Sequence, residues 1–190
     1  MASFWTGNRI RLRGIEPDDW VAFSQFAVDE ERLGDLLHPP RSAASFRDWA
    51  KEQSTAKPDG DRFVLAVEAL GTGELVGAVG SYQADSHAGW FQYGVTIGSD
   101  HRRRGYAAEA VVMLLRFMFA EWRYHKCEAQ IFAHNEASLE LHRRLGFREE
   151  GRLRDRVHFG GRHHDLVVMG LLAEEFARRH PRAPRDRTRR

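Results

Sequence analysis

The 190-residue sequence holds a single cysteine, Cys127. One thiol excludes an intrachain disulfide and any cysteine-rich zinc site. Cys127 stands in "KCEAQIF", an alternating run that reads as a strand, so a packed strand residue is expected there rather than a nucleophile. No apolar run approaches the length of a membrane span, and the opening "MASFWTGNRIRLRG" has no apolar segment of the kind a secretory signal requires. Together these absences predict a chain that stays in a reducing cytoplasm. Several chemical signatures are missing as well. No H-E-x-x-H occurs, and "HNE" at 134–136 lacks the P-C-x-x-C of a zinc deaminase. No lysine followed by serine or threonine closes a glycine loop, which rules out a Walker A site. "GTGELVG" at 71–77 has its third glycine one residue late for a dinucleotide loop and falls inside a hairpin pattern. No metal is expected, in spite of ten histidines and the "HHD" run at 163–165.

What is present begins with an uneven charge. The net charge of +2 conceals a terminal stretch, 178–190, with seven arginines and one aspartate. The remaining 22 basic and 26 acidic residues leave residues 1–177 mildly acidic. A mildly acidic body argues against a nucleic-acid surface. The terminal stretch is rich in arginine and proline and poor in apolar residues, so it reads as a disordered, solvated tail. One domain over 1–177 with a tail at 178–190 follows, and no internal repeat or low-complexity linker divides it.

Hydropathy periodicity gives the element order. "RIRLRGI" alternates as a strand; "EPDDWVAFSQFAVDEE" opens with Pro17 and two aspartates and then places Trp20, Phe23 and Phe26 on one helical face. The "LLHPPRS" break precedes a second helix, "ASFRDWAKEQS". "RFVLAVEAL" and "ELVGAVGSYQ" are strands joined by a "GTG" turn, and "GWFQYGVTIG" is the fourth strand. A long helix carries Val111, Leu114, Leu115 and Met118 at helical spacing. "KCEAQIFA" is a strand, "NEASLELHRRL" a helix, and a hairpin around "GGR" closes the pattern. The order β-α-α-β-β-β-α-β-α-β-β predicts an α+β fold on a mixed sheet, with about seven strands and four helices.

Between the fourth strand and the long helix lies "HRRRGYAAEA", residues 101–110. Three arginines at a helix start oppose the helix dipole, which favours negative charge there. A bound anion resolves the conflict. Free N–H groups at the helix start point outward, Gly105 lets loop amides approach closely, and arginine forks pair with phosphate. The competing reading is a solvated charge cluster.

The downstream residues favour the anion. Arg102-Arg103-Arg104-Gly105-Tyr106-Ala107 resembles the acetyl-CoA loop [QR]-x-x-G-x-[GA] of the GCN5-related N-acetyltransferase (GNAT) family, and the continuation at 107–110 is similar too. Asn135, Ser138 and then Leu145-Gly146-Phe147 follow in the family's order. The ends "RLRGIEPDDW" and "GGRHHDLVVMGLL" are also similar, most of all to the ribosomal-protein-alanine acetyltransferase (RimJ/RimL-like) branch. The resemblance covers about residues 8–175.

The resemblance implies acetyl-CoA as cosubstrate and a primary amine as acceptor, either a small amine or a protein N-terminus, ribosomal proteins included. The fourth and fifth strands should splay, with the pantetheine arm pairing against the backbone of Val95, Thr96 and Ile97. Amides 103–107 should hold the pyrophosphate, and an N–H near Val95 should meet the oxyanion. Many relatives place a tyrosine seven residues after the asparagine to protonate the departing thiolate; here that position is His142. Asn135, Ser138 and His142 share one helix face, so Ser138 or His142 is the expected acid; alternatively Ser138 caps the helix and His142 only packs. Many relatives keep a glutamate base on the fourth strand where this chain has Gln92. The remaining candidates for the base are Asp85, His87, His134, His163, His164 and Asp165, or a water chain. Gln92 also keeps open a non-catalytic acyl-CoA-binding module, and the arginine tail an RNA-associated role. A homodimer fits the edge-forming meander.

Overall fold

A computed structural model describes residues 3–27, 39–57 and 61–181. The chain runs β1 (Ile10–Arg13), a 3-10 turn (Pro17–Asp19), α1 (Trp20–Ala27), α2 (Ala43–Thr55), β2 (Phe63–Ala69), β3 (Leu75–Asp85) and β4 (Trp90–Ile97). A second 3-10 turn (Ser99–His101) leads to α3 (Tyr106–Ala120), then β5 (Lys126–Phe132), α4 (Glu136–Leu145), β6 (Arg148–Phe159), β7 (Arg162–Leu172) and α5 (Ala173–Arg179). The seven strands form one sheet in the order β1-β2-β3-β4-β5-β7-β6. All neighbours are antiparallel except β4 and β5. The expected strand count and mixed sheet are therefore present.

Helices cover both faces. The apolar stripe of α3, with Val111, Leu114, Leu115 and Met118 fully buried, packs with Phe91, Tyr93, Cys127, Ala129 and Ile131 from β4 and β5. Cys127 is a buried strand residue. On the opposite face Ala50 and Trp49 of α2 meet Trp20 and Phe23 of α1 over Ile15 and Ala66. The charges of β1 are not merely solvated. Arg11 and Arg13 each bond Glu68 across the strand pair at 2.6 Å, and Arg13 also grips both oxygens of Asp19. That carboxylate accepts from the Glu16 amide as well, fixing the turn that launches α1.

A fifth helix stands where four were expected. In α5 a single buried apolar residue, Phe176, anchors a short segment with glutamates in its first turn and arginines in its last, as the helix dipole prefers. Arg179 Nε donates to the Arg144 carbonyl at 2.9 Å, so α5 satisfies part of the C-terminal end of α4. Folded chain thus continues through Arg178 and Arg179, past the expected boundary at 177. Residues 182–190 of the expected tail lie outside the described residues, as do the first three residues of the "LLHPPRS" break.

Candidate functional site

The sheet opens in its middle. β4 and β5 pair for three steps only, the last being Gln92 with Glu128. From Tyr93 to Ile97, β4 stays paired with β3, while β5 stays paired with β7. Val95, Thr96 and Ile97 therefore lie along an edge with no strand opposite, among the described residues. An unpaired edge of this kind is a template for an extended ligand. The register between β3 and β4 shifts at Tyr82, opposite Gln92 and Tyr93. A bulge adds local twist, and here it falls at the step where β4 leaves β5.

The open edge leads directly into the arginine loop. Arg103 has φ 61° and Gly105 φ 80°, so two left-handed residues flank Arg104 just before α3 begins at Tyr106. Such alternation turns successive amides toward one concavity, a geometry suited to phosphate oxygens. Left-handed backbone is uncommon for arginine and natural for glycine. The loop braces itself through Arg104, which donates to the Asp100 carbonyl at 3.1 Å. The side chains of Arg102, Arg103 and Arg104 are exposed; Tyr106 and Ala107 are half-buried on the first turn of α3.

A further cation, not read from the sequence, stands at this loop. The Glu109 carboxylate accepts from the backbone amides of Asn8 and Arg9 and so ties the N-terminal segment across the start of α3. Arg9 Nη1 then lies 2.6 Å from where a side chain at Gly105 would begin. The only sequence signal is the glutamate at 109, whose partners are a hundred residues away.

The second wall of the opening is α4. Asn135 is its N-cap, accepting from the Ser138 amide at 3.0 Å. Gly146, at φ 105°, ends it, with the Gly146 and Phe147 amides returning to the His142 carbonyl. Asn135, Ser138 and His142 do share one face, but His142 is only 4% exposed. Its Nδ1 lies 2.7 Å from the Ser138 carbonyl, which can only accept, so the proton is on Nδ1. Nε2 then accepts from the Tyr93 hydroxyl at 2.7 Å. Burial pushes the imidazole below its ordinary range, against the opposing effect of the Ser138 carbonyl, and burial pushes the Tyr93 phenol well up. The result is a neutral ring with both nitrogens engaged. The half-buried Ser138 hydroxyl sits 3.4 Å from Nδ1. The bond from Tyr93 to His142 is set by how α4 crosses β4, which no local spacing encodes.

The candidates for the base are dispersed. Asp85 caps the β3–β4 turn by accepting from the His87 and Ala88 amides. His134 stacks on Phe159 with centroids 5.0 Å apart and lies beside His164; burial, His164 and Arg162 together lower its basicity. His163 pairs with His158, and Asp165 accepts from the Asp155 amide. Among the described residues no three His, Cys, Asp or Glu side chains converge as metal ligands would. Gln92 is 5% exposed, and its Nε2 points to Glu128 Oε2 at 3.4 Å. Glu128 in turn faces Lys126, which is bonded at 2.6 Å to Glu150 and held charged by it. Glu150 reaches that position because Gly170 of β7 has no side chain beneath it. The parallel register that brings Glu128 beside Gln92 is likewise invisible in sequence.

The profile of the acetyltransferase (GNAT) domain matches residues 9–148. The chain is 36% identical to the SPbeta prophage-derived uncharacterized N-acetyltransferase YokL of Bacillus subtilis, over 94% of this chain and 98% of that one. Over 83 residues, 44% of this chain and 43% of the relative, it is 30% identical to the ribosomal protein uS5-alanine N-acetyltransferase of Escherichia coli. The crystal structure of a GNAT-family acetyltransferase from Bacillus anthracis superimposes with a TM-score of 0.76, covering 89% of this chain and 98% of that chain at 21% identity.

Proposed function

This chain is a member of the GNAT acetyltransferase family, and we propose that it moves the acetyl group of acetyl-CoA directly onto a primary amine, on a protein N-terminus or a small molecule. The observation that carries the proposal is the unpaired edge of β4 running into a loop with two left-handed residues. In this reading the backbone of Val95, Thr96 and Ile97 completes a sheet-like pairing with the pantetheine arm. Amides 103–107 take the pyrophosphate, and the cations of Arg102, Arg103, Arg104 and Arg9 surround it. A backbone N–H near Val95 meets the developing oxyanion; a fixed dipole needs no reorganisation.

No covalent enzyme intermediate is required. The one thiol, Cys127, is buried and its pKa is pushed well up, first by burial and then by Glu128, which leaves it a poor nucleophile. Ser138 is the group we assign to the departing sulfur, as donor or relay. His142 stands behind it and behind Tyr93, so any proton it gives must pass through one of those hydroxyls. We assign the chain to the ribosomal-protein-alanine-like branch, working in the cytoplasm; the match to the uS5-alanine enzyme makes a protein N-terminus the first acceptor to try.

The test is release of free CoA thiol from acetyl-CoA across a panel of amines. The panel holds an alanine-initiated peptide, a polyamine, an aminoglycoside and free amino acids, with a mass shift identifying the product. We expect thiol release and a shift of one acetyl group with at least one amine. Tight acetyl-CoA binding with no turnover on any amine would instead establish a non-catalytic acyl-CoA-binding module.

A further inference from the structure

We propose that Glu128 is the general base that takes the proton from the attacking amine, a role that rests on the acetyl-transfer reading above. An amine reaches the enzyme mostly as an ammonium ion, because lysine-like amines have pKa near 10 and α-amines near 8. It must lose a proton before its lone pair can attack. Gln92 cannot accept that proton, and Asp85, His163 and Asp165 are engaged in turns and hairpin contacts.

Glu128 satisfies the geometric requirement. It stands at the last paired step of β4 and β5, where the cleft between the strands begins. An arm that starts at the 102–107 loop and runs back along β4 from Ile97 ends at this step. The face of the cleft toward α3 and α4 is filled by Tyr93, His142 and the α3 core, so an acceptor must arrive from the other face. Alternation along β5 puts Cys127, Ala129 and Ile131 into that filled face and Glu128 on the side of approach. Its side chain keeps 25% of its surface accessible. The charged groups facing it are Lys126 on its own strand and Glu150 on β6; β4 presents Gln92 and β7 presents Gly170. Gln92 Nε2 donates to Oε2 and Lys126 Nζ lies 3.4 Å from Oε1, so a contact on each oxygen holds the carboxylate at this step.

The step balances. An ammonium N–H proton passes to Glu128, which returns it to solvent across its exposed edge, and the freed lone pair forms the C–N bond to the thioester carbonyl carbon. The C–S bond then breaks, and the second N–H proton that the nitrogen loses on becoming an amide ends on the departing thiolate.

Glu128→Gln keeps size and a hydrogen-bond partner for Gln92 while removing the base. Wild type and variant are compared by kcat on the amine that wild type acetylates, by acetyl-CoA affinity, and by rate as a function of pH. We expect kcat to fall on the order of 10²-fold near neutrality, as for loss of one acid–base group. Acetyl-CoA affinity should stay unchanged, and the deficit should narrow as pH approaches the pKa of the amine, where solution supplies the free base. Adding Gln92→Glu to Glu128→Gln moves the carboxylate across the paired step and should restore at least tenfold. Equal rates for wild type and Glu128→Gln overturn the proposal, and so does a loss that is flat with pH and not rescued by Gln92→Glu. A wild-type enzyme that turns over no amine overturns the acetyl-transfer reading itself.

Discussion

Ser138 and His142 occupy one helix face yet have different access to the chemistry. The Ser138 hydroxyl is half-buried at the mouth of α4, whereas His142 is sealed between Tyr93, Phe147 and the Ser138 carbonyl. Ser138→Ala should therefore lower kcat, on the order of 10²-fold, with the acetyl-CoA dissociation constant nearly unchanged, because the bond strengthens only as sulfur gains charge. His142→Phe fills the same space; stopped assays across pH should show a smaller loss and an unmoved alkaline limb. If His142→Phe abolishes turnover while Ser138→Ala does not, the assignment of the proton donor is reversed. Gly105→Val forces a β-branched residue to φ 80° and puts its methyl groups against Arg9. Titration calorimetry should show acetyl-CoA affinity weakened by about 1–3 kcal/mol. Unaltered affinity would sink the loop assignment. At this scale the sequence disclosed what is local, the loop glycine and the face shared by Asn135, Ser138 and His142, but it offered Ser138 as the helix cap where Asn135 is the N-cap. It concealed Arg9, Glu128 and the bond from Tyr93 to His142, because each depends on a partner chosen by strand register or helix crossing.

The elements were legible where periodicity is long. α3 shows its stripe over four turns, and the β2–β3 hairpin announces itself by its glycine turn, with Gly73 at φ 73°. α5 escaped notice because seven residues with one buried phenylalanine give no period to read. The junction of β1 with α1 yields a prediction of its own. Burial pushes the Asp19 carboxyl up, but the bonds from Arg13 and the Glu16 amide outweigh it and hold it below its ordinary range. A lowered folded pKa means the contribution to stability is present above the unfolded value near 4 and is lost as pH falls through the folded value. Arg13→Ala leaves that buried carboxylate and Glu68 without their shared guanidinium. Urea unfolding at pH 7 should show a loss of about 1–3 kcal/mol, narrowing below pH 4 as Asp19 becomes protonated in both proteins. A gap that stays constant from pH 7 to pH 3 would contradict this account.

For the whole molecule, the mixed α+β class and the single sheet were readable from the element order, while the strand order was not. The swap that places β7 between β5 and β6 depends on long-range pairing. We expect a homodimer, though not one made by pairing β6 edges. That strand carries Arg152, Arg154 and Arg156 and breaks its register between Leu153 and Val157, features that guard an edge against pairing. Sedimentation at micromolar concentration should show the dimer; a pure monomer retires the expectation.

The same strand swap governs the order in which a growing chain can become an enzyme. While ribosomal synthesis has delivered only residues up to 159, β5 has just its three-step contact with β4 and β6 has no neighbour at all. Both wait for β7, which is synthesised last and supplies the pairing on either side. Only then can α5 reach back to tie down the end of α4. The wall bearing Asn135 and Ser138 is thus the last part to set, and nascent chains halted before residue 172 should remain open to protease where the finished protein resists it.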